Sequence, residues 1–552
     1  MHTRQDSSGW TIRFDPAQAA AWRESGIWRN RTTAEDARRR AEEMPERACV
    51  LEGATELTYA EALRRGEALA AGLWRLGLRP GDVVSYQIPN WHEAVALNLA
   101  ASLLGLVINP IVSIYREHEV GVILADCRAK VVVVPGSYRG FDYPAMLQRL
   151  QAGLPDLRHA VVLRGTPAAG QIDFAEVAAG GPTPPWPAVP PEAVKLVIYT
   201  SGTTGRPKGV LHTHETMNRA LAKSFAFWGV EVGDRVIMPS PIGHVTGYSY
   251  GLDMPFALGT HSILMERWNA DEAVGLIDRH QVVMTIGATP FLAELVAAAE
   301  RAGTRLPSLK IFACGGAAVP PSLIREANAL FAGGRAFRAF GSSEAPMVTQ
   351  GFVGADEAEL AAATDGQIVD FEVKIVDDEG RELPQGREGE VLVRGPALMC
   401  GYTDPDDNAE AFDPEGYFRT GDIGYLTDRQ GIVITGRKKD LIIRGGENLS
   451  AKEIEDSLHR FPGIREAAAV SMPHARLGET VCAVVIARPG ADITLSAVAD
   501  FLSSEGLARQ KFPEHLEILE DFPRTASGKV RKDVLRRTIA DKVKRGDITL
   551  KH

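Results

Sequence analysis

Residues 194–210 read VKLVIYTSGTTGRPKGV, an apolar, β-branched run that opens directly into glycines, small hydroxylated side chains and a lysine. A strand that ends in such a loop turns its backbone N–H groups inward as an anion nest, and the hydroxyls add donors suited to phosphate oxygens. Glycine permits positive φ and close backbone approach, and Lys208 offers a point charge to a β- or γ-phosphate. The loop is not a Walker A site. Counted from Gly202, Pro207 stands where the second glycine belongs, and Lys208 is followed by Gly209 instead of Ser or Thr.

Upstream, β-branched runs alternate with longer periodic segments: 83–88 (VVSYQI), 94–112, 130–135 (KVVVVP) and 160–163 (AVVL). That alternation is the signature of α/β layering. Stretch 94–112 is near membrane-span length but carries Asn98, Ser102, Asn109 and Pro110, which predicts a buried helix followed by a strand. The proline-rich segment 180–192 cannot sit inside a helix or a central strand and reads as a surface crossing. Downstream, a boundary lies near 437–440 (RKKD). Beyond it Ser450 and Glu453 predict a capping box and a helix ending near Gly463, followed by strands at 467–470 and 481–487. The basic run 531–537 reads as a solvated helix face. A chain of 552 residues exceeds what one core serves. The expectation is therefore an α/β protein with a large domain of layered sheets and helices at 1–438 and a small, mobile α+β domain at 439–552.

The formal net charge is −10 and no domain is strongly basic, which argues against nucleic acid as a partner. Cys49, Cys127, Cys314, Cys400 and Cys482 lie far apart, so neither a disulfide framework nor a zinc site is indicated and a reducing cytoplasm fits. The first thirty residues lack the apolar core of an export signal, and no integral membrane association is expected. Oligomeric state is open, a homodimer included.

Segment 200–209 (TSGTTGRPKG) resembles, position by position, the phosphate loop of the adenylate-forming superfamily, which holds acyl-CoA synthetases, firefly-type luciferases and peptide-synthetase adenylation domains. The resemblance continues in the family's order. Segments 315–321 (GGAAVPP) and 339–344 (AFGSSE) are similar to the two adenine-binding segments, with Phe340 in place of the usual tyrosine and Ser343 in place of threonine. Segments 386–390, 416–424 (GYFRTGDIG), 436–440 (GRKKD) and 523–529 (PRTASGK) are similar to the remaining core motifs. Any one of these alone is turn chemistry; their order from Thr200 to Lys529 is not.

The resemblance implies an acid–thiol ligase that uses ATP, Mg²⁺ and coenzyme A. A carboxylic acid first becomes an acyl-adenylate with loss of pyrophosphate, and the thiol then displaces AMP. It implies phosphate contacts from Thr200, Ser201, Gly202, Thr203, Thr204, Gly205 and Lys208, and adenine contacts from Gly316, Ala317, Ala318, Phe340, Gly341 and Ser343. It also implies ribose contacts from Asp422 and Arg437, and a magnesium site at Thr200 and Glu344. Lys529 takes the position of the catalytic lysine. Lys439 takes that of the hinge about which the small domain rotates, and Gly445 and Gly446 line the thiol channel or else form an ordinary hairpin turn.

Segment 238–259 is mostly apolar and by position lines the acyl pocket with His244, Val245, Tyr248 and Gly316. Peptide-synthetase domains place an aspartate near its start, and 242–247 (IGHVTG) has none, so an amino-acid substrate is disfavoured. His244 resembles the histidine that acyl- and aryl-CoA synthetases hold at the pocket mouth, its alternative being a structural histidine. The closest likeness is to synthetases for short- to medium-chain or alicyclic acids, such as cyclohexanecarboxylate–CoA ligases. Aryl- or long-chain acyl-CoA ligases and a luciferase-like oxygenase are the rivals within the family. A regulator without catalysis and a phosphoryl-transfer ATPase are those outside it.

Overall fold

The computed structural model describes residues 2–200, 206–317, 319–445, 447–525 and 528–548. The apolar run before the glycine loop is strand Val194–Thr200, which pairs antiparallel with Lys208–Thr213 and parallel with Val107–Pro110. Outward from these run Val83–Tyr86, Val131–Pro135, His159–Leu163 and Ile172–Asp173 on one side and Gly401–Tyr402 on the other, making eight strands. Val131–Pro135 is buried at every position, as a strand covered on both faces must be.

A second sheet runs, in order, Arg335–Ala339, Ile311–Gly315, Met284–Gly287, Arg235–Met238, His261–Leu264, Ala48–Glu52 and Thr55–Thr58, parallel except for the last pair. Run 94–112 folds as expected into helix Glu93–Leu104, buried from Ala94 onward, and then strand Val107–Pro110. Gly105, at φ +65°, ends that helix in the left-handed region. Among the described residues no helix is long and apolar enough to cross a membrane. A four-stranded antiparallel sheet follows, of Glu372–Val376, Gly389–Arg394, Phe418–Leu426 and Ile432–Arg437.

The main apolar core draws on residues from Trp10 to Ile432, whereas two smaller cores draw on Ile442 to Ile548. These cover opposite faces of one sheet built on the hairpin Ile464–His474 and Gly478–Ala487. Ala467, Ala469, Val481, Ala483 and Val485 face one way, and Ala468, Val470, Cys482, Val484 and Ile486 the other, following the period of a strand. The molecule is thus a mixed α/β protein with a large N-terminal and a small C-terminal unit.

Three local expectations change. Helix Ala451–Leu458 stops before Gly463, because His459–Gly463 forms the turn that seats Phe461 edge-on to Phe501. The capping box is half formed: Ser450 Oγ accepts from Glu453 N at 3.3 Å, but the Glu453 carboxylate takes Lys511 Nζ at 2.6 Å instead of reaching back. The basic run lies on helix Lys532–Arg545 and is only partly solvated, since Lys532 reaches buried Glu455 at 2.6 Å and Arg536 reaches Asp440 at 3.0 Å.

Candidate active site

Parallel strands leave their carboxyl ends as a crevice, and the two segments expected to bind adenine begin there. Ile311–Gly315 and Arg335–Ala339 are neighbours with Gly315 opposite Ala339, so Gly316 and Phe340 leave the sheet side by side. A Cβ on Gly315 would stand 2.3 Å from the Ala339 carbonyl oxygen, and one on Gly341 2.5 Å from Met347 N, so both positions require glycine. Phe340 N donates to Thr349 Oγ1 at 2.7 Å. Ser343 is buried, and its carbonyl accepts from His212 Nε2 at 2.7 Å. Burial pushes His212 down to about 4, so it stays neutral and can serve as that fixed donor. Glu344 Oε1 accepts from the Tyr402 hydroxyl at 3.0 Å; Ala317 is exposed.

Lys529 arrives from the small unit on a braced turn. Thr525 N donates to Lys529 O at 2.7 Å, Lys529 N donates to Thr525 Oγ1 at 3.1 Å, and Arg524 spans Gly528 O and Glu466. The side chain lies over Gly316, where an added Cβ would sit 3.6 Å from Cε and 3.9 Å from Nζ. Burial and the nearby Arg437 push the Lys529 ammonium down to about 8, against the pull of Asp422 and Glu344. His244, at the same point, is pushed down to about 3 by burial and then by Lys529, and is therefore neutral.

Asp422 and Arg437 face each other on paired strands, and Arg437 Nε donates to Asp422 Oδ1 at 2.8 Å. The Asp422 carboxylate holds Arg437 above its ordinary value, while burial pushes the Asp422 carboxyl up against Arg437's attraction. Lys439 follows in the turn Lys438–Asp440; burial and Arg437 lower its pKa, and its carbonyl accepts from Arg536 Nη1 at 2.8 Å.

The structure therefore gathers Gly316, Lys529, Asp422, Arg437, Glu344, Lys439 and His244 around one point. Other expected residues are committed elsewhere. Lys208 Nζ pairs with Asp407 at 2.6 Å and lies over the Tyr402 ring, while neighbouring Arg206 is held between Asp126 and Asp404. Thr200 is half-buried opposite Lys208 in the hairpin. Gly445, at φ +60°, turns the hairpin between Ile442–Arg444 and Glu447–Leu449, with its N–H on Leu477 O at 2.8 Å. Ser201, Gly202, Thr203, Thr204, Gly205, Ala318 and Gly446 lie outside the described residues. Val245 and Tyr248 are buried on one short helix, Val245–Tyr248, that His244 precedes.

Sequence reasoning missed His212, Tyr402 and Asp407, whose roles come from partners distant in the chain. The one local hint was the pair of histidines, His212 and His214, at the end of a strand. A separate group, Glu52, His92 and Glu93, brings its ligand atoms within 4.8 Å of one another, but Arg164 already bonds both carboxylates.

The likeness to known proteins spans nearly the whole chain. The AMP-binding enzyme family matches residues 37–403, and the AMP-binding enzyme C-terminal domain matches residues 453–529. A medium-chain fatty-acid–CoA ligase of Escherichia coli (strain K12) is 34% identical over 544 residues, 97% of this chain and 95% of the relative. A salicylyl-CoA synthase / salicylate adenylyltransferase of Streptomyces sp is 30% identical over 543 residues, 96% of this chain and 97% of the relative. ATP-bound MatB from Rhodopseudomonas palustris has the same fold with a TM-score of 0.82 at 28% identity, covering 92% of this chain and 99% of that one.

Proposed function

The chain belongs to the AMP-binding enzyme family as an AMP-forming acid–thiol ligase, and from that premise we propose that it activates an apolar monocarboxylic acid, short- to medium-chain or alicyclic, for transfer to coenzyme A. The observation that turns the choice away from an amino acid is in segment 238–259. Its one carboxylate, Asp253, is buried and bonded to Lys195 and Asn98, so no free anion there meets a substrate ammonium. The similarity to a medium-chain fatty-acid–CoA ligase supports the same reading.

In this reading residues 1–438 bind ATP and the acid, and residues 439–552 deliver Lys529. The acid's carboxylate oxygen attacks the α-phosphorus and pyrophosphate leaves; negative charge builds around that phosphorus, where the Lys529 ammonium stabilises it. Neutral His244 orients the carboxylate, Asp422 accepts from the ribose hydroxyls with Arg437 holding it in place, and Phe340 packs on adenine. The Lys208 ammonium leaves Asp407 for the polyphosphate. Glu344, a half-buried oxygen donor fixed by Tyr402, fits a magnesium ion, with Thr200 as the second ligand. Bound there, the ion would offset phosphate charge. Rotation about Lys439 then withdraws Lys529, and the thiol displaces AMP through a channel beside Gly445.

The test is an acid panel of graded chain length and ring type, assayed for pyrophosphate, AMP and thioester with and without coenzyme A. Pyrophosphate release with six- to ten-carbon or cyclohexane acids is expected. ADP as the sole nucleotide product would refute the reaction, and exclusive use of hydroxybenzoates would refute the apolar acid in favour of the aryl one.

A further inference from the structure

Under the acyl segment runs a buried polar chain that the adenylation chemistry does not use. Lys195 Nζ, on the strand that leads into the phosphate loop, donates to Asp253 Oδ1 and Oδ2 at 2.8 Å each and to Thr33 Oγ1 at 2.7 Å. Asn98 Nδ2 donates to Asp253 Oδ1 at 2.9 Å, and Asn98 Oδ1 accepts from the Tyr248 hydroxyl at 2.6 Å. The Lys195 ammonium also stands 5.4 Å from the centroid of the Tyr248 ring. Lys195, Asp253, Asn98 and Tyr248 are each no more than 2% exposed. All three Lys195 donors are used, and the chain ends on one phenol.

Local backbone geometry serves that ending. Tyr248 is followed by a π-helical turn, Ser249–Asp253. Five residues along an α-helix turn side chains about 140° apart, whereas the wider π turn brings residues five apart toward one side. The extra residue lets Tyr248 and Asp253 reach the two ends of one amide, Asn98. Tyr248 also lies four residues after His244, and its N–H donates to the His244 carbonyl at 2.9 Å, so the two residues are joined by one turn of the backbone. In the acyl-ligase reading, which puts the acid's carboxylate at His244, the phenol is the next buried polar group along the same short helix.

We propose that Lys195, Asp253 and Asn98 are positioning residues that lock the Tyr248 ring and so set the length of acid the pocket admits, an inference that rests on the acyl-ligase reading above. With its hydroxyl committed to Asn98 and its ring against Lys195, Tyr248 cannot swing aside, and it stops the tail.

The test compares kcat/KM for straight-chain six- and ten-carbon acids in the wild type, Asn98→Ala and Tyr248→Phe. Asn98→Ala frees the hydroxyl, and the ten- to six-carbon ratio should rise at least about tenfold, the discrimination a methylene or two can carry. The change should fall in KM for the acid, with KM for ATP unmoved. Tyr248→Phe removes only the hydroxyl and should shift the ratio the same way by about threefold; it carries the test if Asn98→Ala does not fold. Equal losses for both acids, or an unchanged ratio in the folded variant, would overturn the lock. A wild type that releases no pyrophosphate with any acid defeats the functional reading itself, and the lock with it.

Discussion

Lys529 is the residue on which the proposed chemistry turns, and its surroundings dictate how it titrates. Removing one fixed donor from a site of developing charge costs about 10²–10³ in rate. Lys529→Ala is therefore expected to lower pyrophosphate release by that factor while the affinity for ATP, measured by equilibrium binding, changes little. The ammonium is charged below its pKa of about 8 and neutral above it. In the free enzyme, kcat/KM for ATP should accordingly fall with a one-proton slope as pH rises past about 8, and Lys529→Arg should abolish that limb, since guanidinium stays charged. His244, at about 3, is neutral throughout the working range and supplies no acid limb. A titration near pH 6.5 that disappears in His244→Asn would contradict this assignment. Lys529 could be singled out because its motif is local, seven residues read in order, and the structure lays its side chain over Gly316. Tyr402, Asp407 and His212 were not, because each matters only through a contact with a residue far away in the chain: Glu344, Lys208 and the Ser343 carbonyl.

At the scale of elements, the same division holds between patterns and partners. The run 94–112 could be read as a helix and a strand because its burial and its length are properties of the run itself. Helix Lys532–Arg545 misled, because charge alone says solvent, whereas Lys532 closes on Glu455 and Arg536 on the turn Lys438–Asp440. Arg536 Nη1 donates to the Lys439 carbonyl and Nη2 pairs with Asp440, so the helix clasps the turn in the arrangement that places Lys529 over Gly316. A charge-assisted bond of this kind is worth about 1.5 kcal/mol, near a tenfold population shift. Arg536→Ala is expected to slow pyrophosphate release several-fold while thioester formation from supplied acyl-adenylate holds its rate. Single-turnover assays of the two half-reactions separate these effects, and equal losses in both would remove the clasp from the account.

Across the whole molecule, the separation of cores means that the two units respond independently to a change inside one of them. The eight tryptophans all lie between Trp10 and Trp268, and none occurs after residue 439, so tryptophan fluorescence reports on the large unit alone. Within that unit the Lys195–Asp253 pair is a buried charge pair, fully bonded, whose desolvation cost is offset only while both partners are present. Removing one leaves an uncompensated charge in the core. Lys195→Met should therefore lower the stability of the large unit by about 3–5 kcal/mol, read from the fluorescence midpoint in urea, whereas Lys195→Met with Asp253→Leu should recover most of that loss. The part of the far-ultraviolet transition that does not coincide with the fluorescence change, assigned to the small unit, should keep its own midpoint in both variants. If the double variant is no more stable than the single one, the pair owes its place to packing volume instead of charge. The buried chain to Tyr248 would then be an accident of the core, with no part in deciding which acids fit.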